Sequence, residues 1–278
     1  MENVSDQGIP TVSGPSKAYR IKDILLSRYF LYPLSLFLFF STWELLAVNN
    51  MFGMPRIGQV IATLTDLSTN PLATKTLWGH IGASLKRVAA GYIIAVILGV
   101  PIGILMATNL YFKGAFKPIF DMLKPMPPIA WIPIAILWFG VGDTSKVFLI
   151  IIGTIIPCII NTYNGIRLVD PELYDVIRVL GGKRRDLILQ VTFPAAFPAI
   201  FSGLQLALSF AWSCVVAAEL VSSRSGVGYL IILGMKVSDS SLIIGGMAVI
   251  AFIAWLVAVI LGEIEKKICP WRVEIDNL

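Results

Sequence analysis

The residues able to do chemistry are few in this 278-residue chain. His80 is the only histidine, and the three cysteines are Cys158, Cys214 and Cys269. One histidine builds neither a histidine-based metal centre nor a Ser-His-Asp triad. The cysteines lack metal-ligand spacing, and Cys158 and Cys214 sit in apolar runs, so they read as small buried or lipid-facing thiols. Gly181-Gly182-Lys183 lacks the upstream glycine and the following hydroxyl residue of a phosphate-binding G-x-x-x-x-G-K-[ST] loop. No nucleophile–base pair stands out, so the chain is expected not to be an enzyme, and a membrane-embedded enzyme is disfavoured. What remains is a charged stretch, DPELYDVIRVLGGKRRDLILQVTFP, from Asp170 to Pro194, and isolated carboxylates such as Glu44, Asp121 and Glu219 inside apolar sequence.

The charged stretch predicts two short helices joined by Gly181-Gly182. Asp170 is a candidate N-cap, Pro171 suits the first helical position, and Glu172 places negative charge in the first turn. Leu173, Val176, Ile177 and Leu180 recur at helical spacing on one face. Gly181 sits where a left-handed residue would end the first helix, and Lys183, Arg184 and Arg185 open the second, which continues to Pro194. The apolar face is expected to pack on neighbouring helices, leaving the polar face for a partner in water.

Those neighbours follow from composition. Hydrophobic residues make up 56% of the chain and charged residues only 14%, and the apolar runs reach the length of about 20 residues that crosses a hydrocarbon layer as a helix. The fold class expected is all-α, a polytopic membrane protein with six transmembrane helices at about 29–48, 88–107, 118–139, 147–166, 198–220 and 242–262. The segment before them, 1–28, reads as a cytoplasmic tail; the apolar run begins too far in for a cleaved signal peptide. Residues 29–265 form the membrane domain and 266–278 a second cytoplasmic tail. The net charge of +5 comes from basic residues beside the spans, which points to membrane orientation and not to nucleic acid. By that orientation both termini and the 170–194 segment face the cytoplasm.

Three spans carry polar or helix-breaking residues. Gly99 and Gly103 in the second make a small-residue face suited to close packing. The third holds Pro118, Pro125, Pro127, Pro128 and Pro133, so it is expected to be broken and to line a cavity that satisfies the freed carbonyls. Asp121 and Lys124, at i and i+3, are expected to pair. In the fifth, Ser209, Trp212 and Ser213, with Trp131 on the third, are candidate lining residues of a solute pathway, although such residues more often serve packing. Glu219, at the far end of the fifth span, suits a salt bridge or gate contact better than solute binding. The residues 221–241 read as a polar connection.

The spacing Asp175-Val176-Ile177, Gly181, Val191-x-Phe193-Pro194 resembles the EAA loop of ABC importer permeases, with Asp in place of Glu and Val-Ile in place of Ala-Ala. The runs from His80 to Ala107, Leu123 to Ile150 and Ala211 to Leu220 are similar to permeases for taurine, alkanesulfonates, nitrate and bicarbonate. Pro127-Pro128-Ile129-Ala130-Trp131, Trp138-Phe139-Gly140-Val141-Gly142 and Pro270-Trp271 look closest to the taurine and sulfonate branch. The resemblance implies a type I importer permease fold and a homodimeric pore in membrane lipid. It also implies an extracytoplasmic solute-binding protein and two cytoplasmic ATPase subunits, which would hold ATP and magnesium; this chain would carry no cofactor. It further implies that Asp170, Glu172, Asp175, Arg178, Gly181, Lys183, Arg184, Arg185 and Pro194 form the docking surface and frame for the ATPase. The rival expectation, a secondary transporter driven by an ion gradient, requires a mid-membrane ionisable relay or inverted repeats, and the sequence suggests neither.

Overall fold

The computed structural model describes residues 28–49, 51–73 and 75–271. The expected tails therefore fall largely outside the described residues. Ten helices are named here: α1 (Arg28–Val48), α2 (Ile57–Thr69), α3 (Leu77–Thr108), α4 (Leu110–Leu123), α5 (Ile132–Phe139), α6 (Asp143–Arg167), α7 (Pro171–Val179), α8 (Phe193–Ser222), α9 (Val227–Val237) and α10 (Ser240–Ile268). The residues up to Ile57 form one unit and those from Gly58 onward a second. In the first, α1 exposes large apolar side chains from Phe30 to Leu45, as a lipid-facing helix does. Trp43 Nε1 donates to Pro55 O at 3.0 Å, and Glu44 Oε2 accepts from the Ile57 N–H at 3.3 Å.

The second unit is built around α6. Close approaches pair Gly91 with Ile150, Gly99 with Cys158 and Gly103 with Thr162, so α3 and α6 run parallel. A methyl group on Gly103 would sit 2.7 Å from Ile159 O, which shows how tightly the two backbones meet. On another side, Gly153 lies against Cys214 and Gly165 against Ala199, so α8 runs antiparallel to α6. Leu149, Ile150, Ala211, Val215 and Ile253 fill the core between α6, α8 and α10.

Parallel α3 and α6 require a return crossing between them, and the proline-rich segment supplies it. Asn109 caps α4 by accepting from the Tyr111 and Phe112 N–H groups. α4 then stops at Lys124, and a turn of 3-10 helix, Pro128–Trp131, leads into α5 at a bend of 92°. Pro125 and Pro127 offer no N–H to continue the helix. Among the described residues five helices are long and apolar enough to cross a membrane, and the bent pair makes a sixth if it counts as one span.

Several sequence expectations need correction. The second span starts at Leu77, not near 88, because His80, Ser84 and Arg87 are buried and satisfied inside the protein. Residues 110–117, between the second and third expected spans, are helical and form the first half of α4. The fifth span passes through Pro194 and Pro198 without stopping: a π-helical stretch, Leu187–Thr192, precedes α8, and its wider turn absorbs the donor that Pro194 lacks. The residues 221–241 contain an apolar helix, α9, whose Leu230 and Ile231 are buried. Asp121 pairs with Lys117, one turn earlier at 2.5 Å, and not with Lys124.

Candidate functional site

The 170–194 segment is held by local hydrogen bonds. Asp170 accepts from the Glu172 N–H at 3.0 Å, capping α7. At the other end Gly181 adopts φ +76°, the Gly182 N–H donates to Ile177 O at 2.9 Å and the Gly181 N–H to Arg178 O at 3.1 Å. This is a Schellman closure, which needs a left-handed residue at the position glycine occupies. Asp186 then accepts from the Lys183 N–H at 2.8 Å and starts the turn Arg184–Asp186. Thr192 Oγ1 bonds Leu187 O at 2.9 Å and lies 3.3 Å from the Tyr174 hydroxyl, joining the π stretch to α7.

The expected division of α7 into a packed apolar face and a free polar face is only half right. Tyr174 and Ile177 pack on Ile166, Val169 and Val191. Leu173 and Val176 are exposed, and Val179 and Leu180 are 87% and 77% exposed. The apolar stripe is therefore wider than the surface available to cover it. Beside it stand Glu172, Lys183 and Arg185, all exposed, and the exposed Asp175–Arg178 pair at 3.0 Å. The Arg184 side chain lies outside the described residues.

A cavity of about 580 Å³ opens where the bent span faces α6 and α8. Its wall includes Lys124, Pro128, Trp131, Asn161, Asn164 and Phe210. Of the sequence-nominated pathway residues, Trp131 lines it. Ser209 and Ser213 are exposed on the α8 face that carries Leu206 and Phe210, and their hydroxyls donate to their own helix at Gln205 O and Ser209 O. Trp212 and Glu219 are buried in the core and not on the cavity wall.

Glu219 makes a salt bridge, as its position suggested, with Arg87, and is the centre of a polar network whose other members residue-by-residue reading missed. Its side chain is wholly buried, accepting from Ser84 Oγ at 2.8 and 2.9 Å, from Arg87 Nη1 at 2.6 Å and from the Gly228 N–H at 2.9 Å. Arg87 also reaches Asp143 Oδ1 at 2.7 and 2.8 Å, Ser225 O at 2.7 Å and Ser225 Oγ at 2.9 Å. Ser84 Oγ accepts in turn from the Val227 N–H. His80 Nδ1 accepts from the Gly226 N–H, so its proton sits on Nε2, which donates to Leu72 O. Gly226, at φ +117°, has no room for a methyl group because the Glu219 carboxylate occupies that space. The available signal was the serine-and-glycine run SSRSGVG placed just after a lone carboxylate. The network ties the start of α3, the start of α6, the end of α8 and the start of α9 together.

This helical membrane bundle, with its bent span and an exposed capped helix between spans, has the architecture of the membrane-spanning subunit of an ABC importer. It superposes on a chain of the MetNI methionine ABC transporter, in an inward-facing conformation, with a TM-score of 0.59 at 13% identity, covering 69% of this chain and 96% of that one. Residues 99–265 match the family described as binding-protein-dependent transport system inner membrane component, and the chain belongs to it. It is 34% identical to the taurine transport system permease protein of Escherichia coli over 72% of this chain and 73% of that one. It is also 32% identical to the nitrate import permease protein of Leptolyngbya laminosa, over 85% and 86%. The resemblance read from the sequence thus holds at the level of family and fold.

Proposed function

We propose that two copies of this chain form the pore of an importer in a bacterium's cytoplasmic membrane, moving a small anionic solute by alternating access. Taurine or another sulfonate is the first choice, and nitrate or bicarbonate the next. An extracytoplasmic binding protein delivers the solute, and a separate ATPase subunit, holding ATP and magnesium, docks on each copy's α7 from the cytoplasmic side. The 170–194 segment transmits the ATPase's closure to the spans, and hydrolysis resets the inward-facing state.

The observation that carries this reading is the exposed apolar stripe of α7, framed by the Asp170 cap and the Gly181 closure. A solvated loop has no need of a rigid helix presenting Val176, Val179 and Leu180 outward, whereas a partner groove covers such a stripe. The names of the taurine and nitrate relatives support an oxyanion as solute. The test is reconstitution of the permease with its ATPase and binding protein in proteoliposomes, followed by uptake of labelled taurine and nitrate. Uptake that requires ATP and stops with a hydrolysis-dead ATPase is the expected result. Uptake that persists with the dead ATPase would point to a secondary transporter and refute the proposal.

A further inference from the structure

Lys124 stands apart among the charged residues of the bundle. It ends α4 at the bend and lines the 580 Å³ cavity, where it is the only ionisable residue of the wall. Among the described residues it has no ion-pair or side-chain hydrogen-bond partner, because Asp121, the nearest carboxylate in sequence, is taken by Lys117. The same cavity is lined by Ile155, Ile156 and Pro157, which sit halfway along the 25-residue α6. Lys124, itself exposed, therefore lines a cavity that reaches mid-helix depth. An ammonium in such a mostly apolar wall is costly unless something compensates it. A lysine at a helix C-terminus is favoured by the helix dipole, but that gain is at most about 1 kcal/mol at exposed positions.

We infer that Lys124 is an anion-binding residue of the permease itself, holding a sulfonate, nitrate or carboxylate transiently as it crosses. The inference rests on the importer reading above. Asn161 and Asn164 line the same cavity and supply amide groups that can hydrogen-bond the anion's oxygens. Asn161 Nδ2 is engaged by Pro157 O at 2.8 Å, which leaves its second N–H to face a solute. The wall thus offers one full positive charge and neutral donors without a carboxylate. That combination admits small oxyanions and disfavours cations, so the permease adds charge selection to whatever its binding protein selects.

Two measurements on the complete transporter test this. The first reads the cavity's charge without transport. A cysteine at the exposed position Phe210→Cys is labelled with a sulfonate-bearing and a trimethylammonium-bearing thiosulfonate; the native Cys158, Cys214 and Cys269 are buried and give little background. Lys124→Gln is expected to lower the ratio of anionic to cationic labelling rates by about tenfold, and Lys124→Arg to keep it, as expected for removing one unit charge from the wall the reporter shares. In the unsubstituted background the ratio at Phe210→Cys should exceed that at Leu137→Cys, an exposed site off the cavity, which keeps the test valid should Lys124→Gln fail to fold. Equal ratios at the two sites, or an unchanged ratio in Lys124→Gln, overturn the inference.

The second measurement is uptake. In Lys124→Gln the KM for taurine and for nitrate should rise about tenfold while basal ATP hydrolysis is kept, and Lys124→Arg should restore KM. An unchanged KM overturns the inference. Failure of the unsubstituted transporter to take up any anion with ATP would instead refute the importer reading, and the labelling ratio would still report on the charge.

Discussion

Replacing Glu219 with alanine should be among the most destabilising single changes in this protein. The substitution strands Ser84 Oγ–H, the Gly228 N–H and one Arg87 N–H in the protein interior. Each neutral donor left buried without an acceptor costs about 1–3 kcal/mol. Removing one partner of a buried ion pair costs about 3–5 kcal/mol in all, because it leaves the other charge uncompensated. Arg87 keeps Asp143, but that side chain is 71% exposed, and an ion pair open to solvent is worth little. The terms overlap, and a loss of about 4 kcal/mol is a fair centre. At about 2–4 °C per kcal/mol for a chain of this size, the midpoint should fall by about 8–16 °C.

The buried cysteines supply the assay. Cys158, Cys214 and Cys269 are buried and shielded in the folded state, so a thiol-reactive fluorophore reports unfolding as the temperature rises. Two companions sharpen the test. Glu219→Gln keeps the shape and one acceptor oxygen, and should cost less than half as much as alanine. The double change Arg87→Met with Glu219→Leu removes both charges together and should recover at least half of the single-variant loss, since a buried pair replaced by apolar groups of similar size is often neutral. A Glu219→Ala midpoint within about 3 °C of the unsubstituted protein would refute the account of this network as a structural clamp.

Other substitutions probe the remaining parts. Gly226→Ala should match Glu219→Ala in the same thermal assay, since its methyl group collides with the carboxylate at a φ of +117° that L residues rarely adopt. Gly103→Val should lower the yield of folded protein in the membrane by prying α3 from α6 at the Ile159 carbonyl, as read by size-exclusion recovery in detergent. Val179→Glu combined with Leu180→Glu should leave the thermal midpoint within about 2 °C, as exposed substitutions do, while at least halving co-purification of the ATPase. Gly181→Pro cannot hold φ +76° and loses the bond to Arg178 O, so ATP hydrolysis should continue while uptake falls; undiminished uptake would count against α7 as the transmitting element.

What could be read from the sequence was whatever depends on near neighbours. The Asp170 cap and the Gly181 stop are local backbone chemistry, and both appear where spacing placed them. The apolar runs likewise located the long helices, because burial in lipid depends on composition alone. The Glu219 network was not legible, since Ser84 and Glu219 are 135 residues apart and neither is unusual alone. For the same reason α3 was cut short: Arg87 looked like the end of a span until its partners were known. The prolines announced a break near 125–128 but not its 92° angle, which depends on what α6 and α8 leave open. Asp121 chose Lys117 because i, i+4 neighbours on the intact part of α4 stay aligned, whereas Lys124 lies where the helix gives way.

These two outcomes, a carboxylate hidden and an ammonium left free, bear jointly on the charge seen by a solute. Glu219 in the fifth span is an unwelcome neighbour for an anion if its charge reaches the pathway. Its side chain has no exposed surface, and Arg87 and two neutral donors, the Ser84 hydroxyl and the Gly228 N–H, enclose it, so its field is offset at the source. Asp121 is offset one turn from its lysine. On the cavity wall Lys124 alone is charged, and among the described residues it has no ion-pair partner. With unlike charges paired within a few ångströms, their fields fall off faster than that of a lone charge, so the lone charge dominates the potential inside an apolar wall. The same low-dielectric surroundings that make Glu219 costly without its partners therefore make Lys124 effective without one.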